Sequence, residues 1–74
     1  MPSTPGSSAS ASLSVMADHL DRYFEHVGVL LPGFQRADDG DIVSALVEAE
    51  RALRNAARLV RRAAKLSDRP TNSN

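Results

Sequence analysis

The 74 residues contain no cysteine and no tryptophan. Without thiols there are no disulfides, no thiolate metal ligands and no Cys nucleophile, which removes the usual staples of a small domain. Tyr23, Phe24 and Phe34 are the only aromatic residues. None lies in the basic second half, where base-stacking side chains would be needed for nucleic acid. Lysine occurs once, at Lys65, so nearly all the positive charge is arginine. No apolar run approaches the length of a transmembrane helix. Met1 to Ser12 carries no basic residue and no apolar core, so it does not read as a secretory signal, and a cytoplasmic location is the default expectation.

A chain of this size is one domain at most, and it buries only a modest share of its surface. Its stability is expected to be marginal unless something supports it, and the support left open is another chain. The formal net charge is zero, but its distribution is lopsided. Up to Glu50 there are eight acids against two arginines, a net −6; from Arg51 onward seven bases face Asp68 alone, a net +6. Segments of opposite sign favour antiparallel pairing within the chain or with a second copy. The wealth of Arg, Ala, Asp, Val and Leu also fits a GC-rich, bacterial-type genome, so arginine abundance alone says little about phosphate.

Residues 1–12 are Ser, Pro, Gly, Ala and Thr with Met1 the one large apolar side chain, a composition that predicts a disordered arm. Residues 69–74 predict a frayed tail. Between them, 13–68 predict an all-α, antiparallel two-helix hairpin, with helices over about 13–29 and 39–67 and a turn over about 30–38. In the first helix Leu13, Ala17, Leu20, Phe24, Val27 and Leu31 alternate steps of four and three, and Met16, Tyr23 and Leu30 widen the stripe on one side. Ser12 or Ser14 offers a cap. The helix stops either at Gly28, as a left-handed terminal residue, or just before Pro32; the cost of a mid-helix glycine favours the earlier stop. Pro32-Gly33 marks the turn, with Phe34 expected to plug an open end of the hairpin, helped by Leu30 and Leu31.

The second helix is the stronger pattern. Asp38, Asp39 and Asp41 surround its start, where a cap and negative charge are favoured, and basic residues fill its later turns. Ile42, Leu46, Ala49, Leu53, Ala56, Val60 and Ala63 form an unbroken heptad seam of coiled-coil type. Ala45, Ala52, Leu59 and Leu66 flank it on one shoulder, and Val43, Ala57 and Ala64 on the other. Four of the seven heptad positions are thus small or apolar, whereas one partner helix needs two. At ~1.5 Å per residue the second helix would outrun the first by roughly two turns, leaving Ala63, Ala64 and Leu66 without cover.

Chemistry-bearing patterns are few. His19 and His26 lie seven residues apart, about 10.5 Å along a helix and too far for one metal ion. Asp38-Asp39-Gly40-Asp41 lacks the ligand order of a calcium loop and reads as helix capping. Asp21 and Glu25 are one turn apart, but two helices enclose no cleft, and no nucleophile elbow, phosphate-cradling loop or zinc-protease motif occurs. No catalysis, cofactor or metal is expected. A basic comb of Arg51, Arg54, Arg58, Arg61, Arg62 and Lys65 lies opposite the seam and offers a nucleic-acid surface as the alternative function. A membrane-surface helix is a weaker alternative, because the apolar face is mostly alanine.

The expected function is therefore protein association. A small adaptor, docking or regulatory hairpin would dimerise into a four-helix bundle, or complete that of another helical protein. Its expected interface residues are Leu20, Phe24, Leu46, Leu53, Leu59, Val60, Ala63 and Leu66, with alanines allowing close helix approach.

Overall fold

The structure, a computed structural model, describes residues 5–68, with side chains from Ser8 onward. It is an all-helical antiparallel hairpin. Helix α1 runs Pro5–Leu30 and helix α2 runs Gly40–Ser67, joined by two short 3-10 turns at Leu31–Gly33 and Ala37–Asp39. The Cα atoms extend 58 × 26 × 11 Å. The hairpin is accordingly two helices wide and one helix deep, with both broad faces turned outward.

Helix α1 begins at Pro5 rather than near Leu13. A proline is tolerated in a first helical turn because its missing N–H has no intrahelical partner there. Beyond Gly6 the Ser/Ala run contains no helix breaker, so residues 5–12, expected to belong to a disordered arm, are helical. Residues 1–4 and 69–74, the rest of the expected disordered ends, lie outside the described residues.

At its other end α1 passes through Gly28 and stops at Leu30, against the earlier stop expected from the sequence. No glycine among the described residues has a positive φ, so Gly28 is not a left-handed cap. A Cβ built at Gly28 would sit 3.0 Å from the Oε2 atom of Glu50 on α2. Pro32 then enters the first 3-10 turn near its start, and the Phe34 N–H donates to the Leu31 carbonyl at 3.0 Å. Phe34 and Leu31 are half-buried at this closed end, while Leu30 remains exposed.

The acidic cluster works differently from a simple cap. Asp39 occupies the N-cap of α2 without capping it through its side chain. Its carboxylate instead reaches back and accepts the Arg36 N–H at 3.0 Å, while the Asp39 N–H donates to the Arg36 carbonyl at 3.0 Å. This reciprocal pair closes the second 3-10 turn and sets the entry of α2. Asp41 lies in the first turn of α2 and Lys65 in the last, both matching the helix dipole.

The register follows from cross-helix pairs. Arg61 meets Asp18 at 2.9 Å and Asp21 at 2.7 Å. The Arg54 guanidinium lies 5.4 Å from the centre of the Phe24 ring, and Glu50 faces Gly28. These pairs set Ala64 level with the turn holding Leu13 and Ala17. Of the residues expected to overhang uncovered, Ala64 is only 5% exposed and Ala63 half-buried, while Leu66 stays 47% exposed. Leu13 and Ala17, already within the helix expected from the sequence, lie at this level and supply the cover. Ile42, expected to open the seam, is instead exposed, because α1 ends before reaching its level.

Candidate functional site: an uncovered apolar face

Among the described residues three side chains are buried: Ala17, Ala57 and Ala64. No large side chain among the described residues is fully enclosed. That is the geometric consequence of a single layer. Two helices shield each other along one line, and a leucine or phenylalanine on that line still has solvent above and below. Leu20, Phe24, Leu46, Leu53, Val60 and Ala63 occupy this line and are all half-buried. Of the residues expected at an interface, these six serve the hairpin itself.

The two broad faces differ in chemistry. In an antiparallel pair of right-handed helices, turning in the same sense along each chain leads to the same broad face. Asp18 and Asp21 of α1 and Arg61 of α2 mark one face. Helical periodicity then assigns the opposite shoulders of both helices to the other face. On α1 that shoulder is Met16, Tyr23 and Leu30, at seven-residue spacing and about half exposed each. On α2 it is Ala45, Ala52, Leu59 and Leu66, also seven apart, all exposed. Leu59 and Leu66 are 49% and 47% exposed. Ala49, Ala56 and Ala63 continue the same surface inward toward the seam. The result is an apolar face running the length of the hairpin, wider than the scattered apolar residues of an ordinary monomer surface. Val15, Val29 and Val47 are exposed elsewhere and do not join it.

The opposite face is charged. Arg51, Arg54, Arg58, Arg61, Arg62 and Lys65 line one open trough together with Asp21, Asn55 and Ala57. The comb foreseen in the sequence is thus assembled, but not all of it is free. The Asp21 hydrogen bond, followed by the charge of Asp21 and the bond to Asp18, holds the Arg61 guanidinium above its ordinary pKa, against some desolvation. The Arg54 guanidinium rests on Phe24, and Arg58 donates to Asn55 within its own helix. Both histidines are exposed on the outer edge of α1. Among the described residues no three His, Asp or Glu side chains gather at metal-binding distance. No helix among them is long and apolar enough to cross a membrane.

No known protein-family model, curated protein or solved structure matches this chain. The surface itself is therefore the ground for any functional reading. Met16, Tyr23 and Leu30 were not among the interface residues expected from sequence. Their heptad spacing was visible, but which side of the seam would stay open depends on the hairpin's handedness and register.

Proposed function

We propose that the chain is a non-catalytic protein-association module, and that its apolar face is the surface that seats another helical layer. The observation carrying this reading is that six large apolar side chains, Met16, Tyr23, Leu30, Ile42, Leu59 and Leu66, stand about half exposed and follow helical spacing along one face and its closed end. Covering the open half of each is worth on the order of 1 kcal/mol per side chain. Counted on both sides of a two-copy bundle this reaches on the order of 10 kcal/mol, enough to offset the rigid-body freedom lost on association. A second layer would also give the half-buried seam leucines the cover that a lone hairpin lacks, turning a marginal fold into a cored one.

Light scattering after size exclusion, together with melting temperature against concentration, tests this. The wild-type chain should be larger than a monomer, with a melting temperature that rises with concentration. Leu59→Asp, on the exposed shoulder, should be monomeric and melt lower at every concentration. A wild-type monomer with a sharp, concentration-independent melt would show that one layer suffices, and the reading would fall.

The basic trough supports a second reading, in which α2 tracks phosphates. It predicts steeply salt-dependent binding of duplex or single-stranded nucleic acid that is lost on charge reversal at Arg58 and Arg62. With Arg61 tied to two carboxylates, Arg54 on Phe24 and a net charge of zero, no mobility shift is expected at physiological salt.

A further inference from the structure

Resting on the association reading above, we infer that the occupant of the apolar face is a second copy of this chain, docked antiparallel, with the two closed ends at opposite ends of the bundle. Face-to-face docking of two identical hairpins allows two symmetric arrangements. With the two-fold axis along the hairpin, the closed ends lie together and α1 covers the partner's α2. With the axis across the hairpin, the closed ends lie apart, and each helix stacks on its own counterpart running the other way.

Two independent features select the second arrangement. The first is side-chain size. The exposed shoulder of α2 is small toward the closed end, Ala45 and Ala52, and large toward the open end, Leu59 and Leu66. An axis passing near Ala56 and Tyr23, which the register places at one level, lays Leu59 over the partner's Ala52 and Leu66 over the partner's Ala45. Met16 then lies over the partner's Leu30. On α2 each leucine thus meets an alanine, as close packing favours, while on α1 Met16 meets Leu30 and Tyr23 lies near its own copy at the axis. The parallel arrangement has no such self-complementarity of α2, because α2 then faces Met16, Tyr23 and Leu30, which grade neither way along the hairpin.

The second feature is charge. The closed-end half carries Glu25, Asp38, Asp39, Asp41, Glu48 and Glu50 against Arg36, Arg51 and Arg54. The open-end half carries Arg22, Arg58, Arg61, Arg62 and Lys65 against Asp18, Asp21 and Asp68. Each hairpin is thus negative at one end and positive at the other. Antiparallel docking sets unlike ends together, whereas parallel docking stacks like on like. The same axis brings Glu48 level with the partner's Arg62; both are exposed and sit at the rim beside Leu59 and Leu66.

The absence of cysteine makes site-specific labelling direct. Gln35, exposed in the turn, is changed to Cys, spin-labelled, and the label-to-label distance measured in the full-length assembly. From the helix rise, antiparallel docking places the two labels about 45–50 Å apart, and parallel docking about 10–20 Å. Alongside, Glu48→Arg and Arg62→Glu should each weaken association several-fold, and the double variant should restore it. A long distance with restoration in the double variant supports the proposal. A short distance, or a double variant weaker than either single one, overturns the arrangement while leaving self-association intact. A monomeric mass with no label-to-label signal overturns the second copy as occupant, and the light-scattering arm reports that separately.

Discussion

Replacing Gly28 by alanine sets two magnitudes against each other at a known place. Gly28 is inside α1 with ordinary helical backbone. Alanine is favoured over glycine in a helix interior by about 1 kcal/mol, because the glycine chain loses more freedom on folding. Opposing this, the new Cβ meets Glu50 Oε2 at 3.0 Å, closer than comfortable van der Waals contact. The obstructing atom is the far end of a flexible side chain rather than backbone. A small rotation of the Glu50 carboxylate clears it, so propensity should win. The variant is expected to gain up to about 1 kcal/mol, which for a domain this size raises the melting temperature by about 4–8 °C. Thermal denaturation by circular dichroism at fixed protein concentration measures it, with Glu50→Ala as the second arm of a double-mutant cycle. Destabilisation by Gly28→Ala that Glu50→Ala relieves would mean that the carboxylate is held rigidly and that close approach dominates. Destabilisation that Glu50→Ala does not relieve would refute the reasoning altogether, since it would place Gly28 in a backbone conformation that alanine resists.

Leu53→Asp places a carboxylate on the central line between the helices, where Leu53 is half-buried, and should abolish most of the helical signal in circular dichroism; a folded Leu53→Asp chain would contradict the seam. Truncation after Val60 removes the buried Ala64 and uncovers Ala17, so the melting temperature should fall. Starting the chain at Leu13 should remove about eight residues of helical signal and leave the melting temperature nearly unchanged, because Ser8, Ala9, Ala11 and Ser12 are exposed and Ser10 is only half-buried. Equal sensitivity to both cuts, read in the same melts, would show that the first turns of α1 pack as tightly as its middle. Arg61→Gln removes both bridges to Asp18 and Asp21, yet all three side chains are well exposed; melts at low and high salt should differ little from wild type, and a large loss would mean that the pair anchors the register.

Two helices and their polarity were legible in the sequence, but the line along which they meet is shifted: Ala57 and Ala64, read as a shoulder of the seam, are the buried residues of α2, and Ile42 is exposed. The four-three spacing through Leu46, Leu53 and Val60 is a local property of helical geometry, and it survives whatever the helix packs against. The turn at Pro32-Gly33 follows from the conformational restriction of proline. The ends of the helices were not legible. At Gly28 the local cost of glycine argues for a stop, yet the helix runs on to Leu30 with no left-handed residue, since a cost of ~1 kcal/mol is small enough for a packed helix to absorb. At Pro5 nothing in composition marks a start, so a Ser/Ala stretch that reads as unstructured is drawn into helix by continuity with Leu13 and Ala17.

The surface divides in the same way. Sequence alone determined that α2 has more apolar positions than one partner can cover, because that is a count around its circumference. It also determined that acid and base are segregated along the chain. Tertiary structure decided which of those positions stay open. The register, marked by the pairing of Arg61 with Asp18 and Asp21, brings Ala57 and Ala64 against α1 and leaves Ala52, Leu59 and Leu66 outside. The shared handedness of the two helices then places Met16, Tyr23 and Leu30 beside them. Face membership is a relation between helices, fixed by register and hand, and periodicity along a single helix does not carry it.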